Sequence, residues 1–108
     1  MFDLDSFPNL EQLILDYNSI KSVNSIPFNK NLKVLSLSYN QIGNEQETLQ
    51  ILAERCPSLE HLNLMKNPCN PVFSNQTNYQ NFRAKFAIWI PSLKTLDGTD
   101  FKDDQEAI

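Results

Sequence analysis

Three stretches of this 108-residue chain share one unusual spacing of leucines. LEQLILDYNSI, LKVLSLSYNQI and LEHLNLMKNPC begin at positions 10, 32 and 59, and each has leucine at its first, fourth and sixth places and asparagine at its ninth. This spacing fits neither the two-residue period of a half-buried strand nor the 3.6-residue period of a helix. A shorter copy, LKTLDG, begins at position 93. A fixed motif separated by filler of variable length is typical of a repeat protein, in which each copy buries its apolar side against the next.

The motif also predicts how each copy folds. The residues around its central L-x-L form a short strand, whose alternate side chains point to opposite faces. If successive strands lie parallel, the leucines form two interior rows. The predicted rows are Leu13, Leu35, Leu62 and Leu96, and then Leu15, Leu37 and Leu64.

An asparagine follows each strand at a constant distance. These residues are Asn18, Asn40 and Asn67. A carboxamide has two donors and an acceptor, which the buried backbone groups of a turn need as partners. We therefore interpret the three asparagines as a structural ladder and not as a polar active-site row.

The motif L-x-x-L-x-L-x-x-N-x-L resembles that of the leucine-rich repeat proteins, and the resemblance covers nearly the whole chain. It implies an α/β fold, a right-handed solenoid with parallel strands on the concave side and a C-terminal helical cap. We assign leucine-rich repeats to residues 1–70, the cap to 71–101 and a short acidic tail to 102–108. We expect the first repeat to be incomplete and without an N-terminal cap, and therefore self-association or partner docking at the strand edge formed by residues 10–16.

Two helices are predicted after the second and third copies. Asn44 followed by Glu47 is typical of a capped helix start, and predicts a helix from about Glu45 to Arg55. The second helix carries apolar residues on one face, at the spacing expected of a helix. These residues are Tyr79, Phe82, Phe86, Trp89 and Ile90. We predict that they form the core of the cap, because the last coil of a solenoid needs cover; an aromatic cage for a ligand is the alternative.

The cap resembles that of one subfamily of leucine-rich repeat proteins. The likeness is carried by Tyr79-x-x-Phe82-Arg83 at the start of the cap and by IPSLKTLD, residues 90–97, at its end. The subfamily includes the spliceosomal A-prime protein, the acidic nuclear phosphoproteins, a leucine-rich regulator of type-one phosphatase and a melanocyte differentiation-associated branch. The preceding stretch, RCPSLEHLNLMKNPCNP, looks most like the last of these.

All of these resemblances imply a non-enzymatic intracellular adaptor or scaffold. They differ in the partner that each implies. The melanocyte-type branch implies a Rab-family small GTPase and a role in vesicle trafficking. The spliceosomal branch implies a ribonucleoprotein scaffold that binds an RNA-binding protein, and the phosphatase branch implies a regulatory subunit.

The outward positions of the strands predict a surface that binds another protein. They form columns across the concave sheet and mix small polar groups with tyrosine and methionine, which are enriched at interfaces. The predicted protein-binding residues are Gln12, Ile14, Asp16, Tyr17, Val34, Ser36, Ser38, Tyr39, His61, Asn63, Met65 and Lys66, and the columns continue to Thr95 and Asp97. The alternative is that these side chains are merely solvated.

Composition and motifs argue against several other functions. The net charge of −4 and the scattered basic residues argue against direct binding of nucleic acid. No signal peptide and no apolar run of about 18 residues is present, which predicts a protein without membrane insertion that is cytoplasmic, with the nucleus as the alternative. Cys56 and Cys69 lie in no metal-ligand spacing, and the single histidine, His61, has no obvious nucleophile to serve as a base. We therefore predict no metal, no cofactor and no enzymatic activity.

Overall fold

A computed structural model describes residues 9–106, so the start of the predicted first repeat and the last two residues of the predicted tail lie outside the described residues. The strands are β1 (Gln12–Ile14), β2 (Val34–Ser36), β3 (His61–Asn63), β4 (Thr95–Leu96) and β5 (Thr99–Asp100). The helices are α1 (Glu45–Arg55), α2 (Gln76–Trp89) and α3 (Lys102–Glu106). The strands form one sheet in chain order, with β1 to β4 parallel and β5 antiparallel to β4. The α/β class and the parallel strands, one for each copy of the motif, are confirmed.

The register of the sheet stacks equivalent leucines on one another. Leu35 is paired with Leu13 on one side and with Leu62 on the other, and Leu62 is paired in turn with Leu96. Leu35 and Leu96 are fully buried, and Leu62 is 2% exposed. Leu13 is only half-buried, because among the described strands β1 has a neighbour on one side alone. The interior row therefore gains its burial from contact between successive coils.

Helix α1 has the bounds that the sequence predicts. The side chain of Asn44 accepts a hydrogen bond from the Glu47 N–H at 3.0 Å, which satisfies one of the free donors of the first turn. Leu49 and Leu52 are buried against the sheet. Cys56 ends the helix as its C-cap, with its N–H bonded to the Leu52 carbonyl. The local capping signal and the apolar spacing together determine where this helix begins and ends.

Both cysteines are free and buried. Burial raises the pKa of Cys56 to about 11 and that of Cys69 to about 12, because a thiolate is poorly solvated in the core. At neutral pH both side chains therefore pack as small apolar groups.

Helix α2 covers the last coil with Phe82, Phe86 and Ile90, each at most 2% exposed. The rings of Phe82 and Phe86 lie 4.7 Å apart, and Tyr79 packs beside Phe82 at 6.0 Å. The assignment of Trp89 to this core is wrong, because its side chain is 46% exposed. Trp89 is the last helical residue, and Ile90, whose backbone has already left the helix, takes the inward position instead.

The parallel sheet ends in a tight hairpin that the leucine pattern does not predict. Asp97 and Gly98 connect β4 to β5 with φ values of 56° and 83°. Two left-handed residues in a two-residue loop are typical of a type I′ turn, for which Asp-Gly is a favoured sequence. Strand β5 thereby returns along β4 and covers that edge of the sheet.

The segment predicted as a short acidic tail, residues 102–108, is helical over its first five residues. Residues 102–106 form α3, and the Asp104 carboxylate accepts two hydrogen bonds from Arg83 Nε, at 3.0 and 3.1 Å. From its sequence alone, a short acidic run is expected to be solvated. The cation that binds Asp104 is Arg83, which lies 21 residues earlier and outside the run. The boundary between repeats and cap at residues 70 and 71 stays a prediction.

Candidate protein-binding surface

The sheet face that points away from the core, which we call the outward sheet face, carries the middle of the predicted surface. Gln12 and Ile14 on β1 are exposed, with Ile14 at 56%. The equivalent residues of β2 and β3 are half-buried, because each of these strands has neighbours on both sides. They are Val34, Ser36, His61 and Asn63. Together with Thr95 and Gly98 they line a shallow cavity of about 240 Å³.

Polar contacts hold this face in one arrangement. His61 Nδ1 lies 2.8 Å from the hydroxyl oxygen of Thr95 on the next strand. Asn63 Oδ1 accepts a hydrogen bond from the N–H of Met65, a half-buried residue, at 2.9 Å. Because these side chains are already bound to one another, the face is an ordered surface of small polar and aliphatic groups.

Asp16 connects the first coil to the second. Its Oδ1 accepts hydrogen bonds from the Ser36 hydroxyl at 2.7 Å and from the Ser38 N–H at 2.9 Å. Ser38 is only 6% exposed and its N–H is already bound by Asp16 of the preceding coil, so its prediction as a partner-contacting residue is wrong. Within residues 9–106, Asp16 Oδ2 accepts no hydrogen bond and forms no ion pair.

A row of large side chains runs along the ends of the strands. Tyr17, Tyr39 and Lys66 occupy the same place in three successive coils, and their φ values are 59°, 58° and 59°. The left-handed region is uncommon for residues other than glycine, and its repetition shows that the motif requires a sharp turn here. The N–H of Tyr17 bonds to the Ser38 carbonyl at 3.0 Å and that of Tyr39 to the Met65 carbonyl at 2.9 Å, which aligns the coils.

The side chains of this row lie largely in solvent. The Tyr17 and Tyr39 rings stack at 4.4 Å with an angle of 10° between their planes, and they are 74% and 45% exposed. Further along, Lys66 Nζ lies 4.3 Å from the centre of the Phe73 ring, which is 69% exposed. We call Tyr17, Tyr39, Lys66 and Phe73 the aromatic row. Sequence reasoning missed Phe73, because it lies in a turn-rich segment where no periodicity assigns it to a face.

Below the aromatic row, two of the three asparagines join successive coils. Asn40 Oδ1 accepts from the Ile20 N–H at 3.1 Å, and its Nδ2 donates to the Leu15 and Leu37 carbonyls at 3.0 and 2.9 Å. Asn67 repeats this pattern one coil later, toward Ile42 and Leu37. Asn18 is exposed, and within residues 9–106 it bonds only to its own coil, at the Leu15 and Asp16 carbonyls. The carboxamides of Asn40 and Asn67 are fully used by the backbone and are not available to a ligand.

Asp97 was expected on the outward sheet face, and this expectation is wrong. Its side chain turns inward and the residue is 7% exposed. Its Oδ1 accepts from the Leu64 N–H at 2.7 Å, and its Oδ2 accepts from the Tyr79 hydroxyl and the Asn70 amide, both at 2.8 Å. In the fourth copy of the motif Asp97 therefore accepts a backbone hydrogen bond from the preceding coil, as Asn40 and Asn67 do in earlier copies. The Asp-Gly pair was the sequence signal that could have revealed the turn.

Arg83 fastens the C-terminal hairpin and α3 to the cap. It is 4% exposed, and it donates from Nη1 to the Leu96 carbonyl at 2.6 Å and from Nη2 to the Thr99 carbonyl at 3.0 Å. Its Nε binds Asp104, and its guanidinium lies 4.7 Å from the centre of the Phe101 ring. All of these contacts are internal, so the arginine is structural.

Tyr79 provides a test of the network around Asp97. Burial and the neighbouring Asp97 carboxylate raise the pKa of Tyr79 from 10.0 to about 12. Because the folded state disfavours the phenolate, this group's contribution to stability is complete below pH 10 and is lost as the pH rises toward 12. We expect the unfolding free energy to fall across that window, and Tyr79→Phe to remove part of the fall. Urea unfolding at several alkaline pH values would check this, and an unchanged pH dependence in Tyr79→Phe would contradict it.

Two other kinds of site, a metal centre and a membrane-spanning helix, are absent from the part of the chain that the structure describes. No group of three or more His, Cys, Asp or Glu side chains in residues 9–106 is arranged to hold a metal ion. Over the same residues, no helix combines the length and the apolar character needed to cross a bilayer. The outward sheet face and the aromatic row both remain accessible.

Comparison of the sequence with known proteins shows similarity to one protein family. A sequence model described as leucine rich repeat matches residues 8–69. The chain is 33% identical over 99 residues to the human protein named leucine-rich melanocyte differentiation-associated protein. That alignment covers 87% of this chain and 50% of the human protein, so the chain spans about half the length of this curated relative.

Two solved structures resemble the chain in fold. The structure of Chaetomium Mex67:Mtr2 subunits matches with a TM-score of 0.69 and 26% identity, over 97% of this chain and 65% of that chain. The Drosophila melanogaster SNF/U2A′ complex matches with a TM-score of 0.63 and 24% identity, over 99% of this chain and 72% of that chain. The second likeness is one of fold alone. Each of the two structures contains more than one protein.

Proposed function

We propose that this chain, which belongs to the leucine-rich repeat family, is a non-enzymatic module that binds another folded protein. The bound partner would lie on the outward sheet face and against the aromatic row. Members of repeat families use the extended surface of their sheet in this way, since the stacked coils present it as one continuous face.

The aromatic row is the observation that carries the proposal. Its tyrosines are held rigidly by a backbone turn and by their mutual stacking, yet most of the Tyr17 ring remains in solvent. Rigid aromatic side chains bury a large area on binding and lose little conformational entropy. Tyrosine is among the residues that most often dominate binding energy at interfaces.

A Rab-family small GTPase is the partner that we propose first, with a role in vesicle trafficking. The support is the 33% identity to the melanocyte differentiation-associated protein, together with the stretch RCPSLEHLNLMKNPCNP, which carries the resemblance to that branch. If the partner is a GTPase, its affinity for this chain should depend on which nucleotide the GTPase carries. A cytoplasmic location would accompany this function.

A ribonucleoprotein scaffold is the second candidate, and a phosphatase regulatory subunit is the third. The scaffold is supported by the resemblance of the cap, residues 79–97, to that of the spliceosomal A-prime protein. In that case the partner would be an RNA-binding protein and the location would be nuclear. Pairing of a second copy along the outer edge of β1 also stays a prediction; of the described strands, only β2 pairs with β1.

The experiment that tests the proposal begins with affinity purification and mass spectrometry. The native chain is compared with a variant in which Tyr17 and Tyr39 are both replaced by alanine. A protein recovered by the native chain and lost with the variant is then purified, and its class separates the GTPase, RNA-binding and phosphatase alternatives.

Replacement of Tyr39 alone then measures the site. We expect Tyr39→Ala to weaken binding of the purified partner by about 2 kcal/mol, as is typical of an interface hot spot. The fold should survive, since the ring is 45% exposed and contacts mainly Tyr17. Isothermal titration calorimetry measures the affinity, and circular dichroism checks the fold.

Phe28→Ala provides the matched control. Phe28 is a similarly exposed aromatic residue, at 64%, but it precedes Asn29, whose N–H bonds to the Arg55 carbonyl at the end of α1. It therefore lies on the side of the molecule where the strands begin. Equal affinities for the native chain and for Tyr39→Ala would show that the partner does not use the aromatic row.

A further inference from the structure

We propose that the Tyr17 end of the aromatic row binds an arginine side chain of the partner, with the Tyr17 ring and the Asp16 carboxylate as the groups that recognise it. This inference rests on the proposed function and names the chemistry that the partner must present. It commits to one occupant, an arginine on a folded protein.

The aromatic part of the site is the outer face of the Tyr17 ring. Its other face is covered by Tyr39, at 4.4 Å and nearly parallel, so the Tyr17 ring cannot easily turn aside. With 74% of the residue exposed, the outer face is open to a flat cationic group. A cation over an aromatic face is attracted by the negative potential of the ring.

The anionic part is the next residue in the chain. Asp16 is half-buried, and the hydrogen bonds to its Oδ1 from Ser36 and Ser38 hold the carboxylate in place. In the described part of the chain Oδ2 has no hydrogen-bond or ion-pair partner, so one acceptor oxygen of the residue that precedes Tyr17 is left for an incoming donor. A fixed carboxylate loses little entropy when it pairs with an incoming donor.

The protein itself contains the same combination of groups around an arginine. In the cap, the guanidinium of Arg83 lies against the Phe101 ring at 4.7 Å and the Tyr79 ring at 5.8 Å. The same guanidinium binds the Asp104 carboxylate through Nε. An aromatic face with an adjacent carboxylate is thus an environment that this chain already uses to hold arginine.

Arginine fits the site better than lysine does. A guanidinium is planar and can stack on a ring while its edge donates to a carboxylate, whereas an ammonium is a compact and strongly hydrated charge. The cation at the other end of the row does not fill the site, because Lys66 Nζ lies over Phe73. The net charge of −4 also favours the approach of a cationic group.

The test is a titration of the full chain with acetyl-arginine amide, followed by NMR of backbone amides and aromatic rings. We expect saturable shifts centred on Asp16, Tyr17 and Tyr39, with a dissociation constant on the order of tens of millimolar, as for one exposed cation–π contact and one ion pair. Acetyl-citrulline amide, which has the same shape without the charge, is expected to produce no saturable shift. Equal shifts with both compounds would overturn the proposal.

Two variants and one control assign the site to its groups. Asp16→Asn keeps an oxygen for Ser36 and Ser38 but removes the charge, and we expect it to weaken arginine binding about threefold. Tyr17→Leu removes the aromatic face and is expected to have an effect of similar size. Glu11→Gln removes an exposed charge at the opposite end of β1 and should have no effect. A loss with Glu11→Gln equal to that with Asp16→Asn would mean that only net charge matters, and would overturn the proposal.

The outcomes separate this inference from the proposed function. If acetyl-arginine amide does not bind but Tyr39→Ala still weakens a protein partner, the arginine site is wrong and the binding module stands. If the amide binds and no protein docks on the aromatic row, the proposed function is wrong while the cation site remains.

Discussion

Replacement of Leu35 by alanine is expected to lower the free energy of unfolding by about 2–5 kcal/mol, the range found when a fully buried leucine is truncated. Leu35 has no exposed surface, and it is paired with Leu13 on one side and with Leu62 on the other. The cavity left by the substitution cannot close easily, because the flanking strands are held in register by the sheet. Since small domains are stable by only about 5–15 kcal/mol, the loss should be plain in urea unfolding followed by circular dichroism.

Leu13→Ala is the matched control for this prediction. Leu13 occupies the same place in the motif one coil earlier, but it is half-buried where Leu35 is fully buried. If burial between coils is what stabilises the row, the same chemical change should cost about half as much or less at Leu13. Equal losses at the two positions would show that the leucines stabilise their own coils and not the contact between them.

The parts of the fold that sequence predicts correctly are those with local or repeated causes. The pairing of equivalent leucines follows from a motif that appears several times in the same order. Helix α1 follows from Asn44, Glu47 and an apolar spacing, all within one segment. The signals for α1 lie within or beside the helix that they specify, and the leucine pairing follows from repetition of the motif, so neither requires an unrepeated contact between distant residues to be identified.

The parts that sequence misses depend on residues far apart in the chain. Asp104 is held by Arg83, and Asp97 by partners that begin at Leu64, 33 residues earlier. Trp89 fits the apolar stripe of α2, but the chain leaves the helix at Ile90 and places that residue inside instead. Periodicity cannot distinguish these cases, because it describes one element without the surface against which it packs.

The candidate site divides in the same way. The aromatic row was partly predicted, since Tyr17, Tyr39 and Lys66 share one place in the motif, whereas Phe73 joins them only through the folded chain. Ser38 also lies at an outward position, yet it is buried and its N–H is bound by Asp16 of the preceding coil. The motif predicts to which side of its strand a side chain points. The exposed fraction of that side chain depends on which residues of the neighbouring coil cover it.

Asp97→Ala is expected to be about as damaging as a core truncation, with a loss of about 3–5 kcal/mol. The substitution leaves the buried N–H of Leu64 without an acceptor, which costs about 1–3 kcal/mol. It also removes the acceptor shared by Tyr79 and Asn70. Alanine at φ 56° adds about 1 kcal/mol more, because aspartate and asparagine tolerate the left-handed region better than alanine does. Urea unfolding measures the sum, and a loss below about 1 kcal/mol would contradict the role that we give to Asp97.

Asp97→Asn separates the acceptor from the charge. Asparagine keeps an oxygen for the Leu64 N–H and accepts the left-handed turn, so the loss should be only about 1–2 kcal/mol. Its amide nitrogen would face Asn70, a second donor, which accounts for the part that remains. The same variant should bring the pKa of Tyr79 down from about 12, although not fully to 10.0, because burial, the larger cause, is unchanged. If the Tyr79 pKa stayed at about 12 while stability fell, Asp97 would stabilise the hairpin through its turn and its bonds with Leu64 and Asn70, and its contact with the Tyr79 hydroxyl would be incidental.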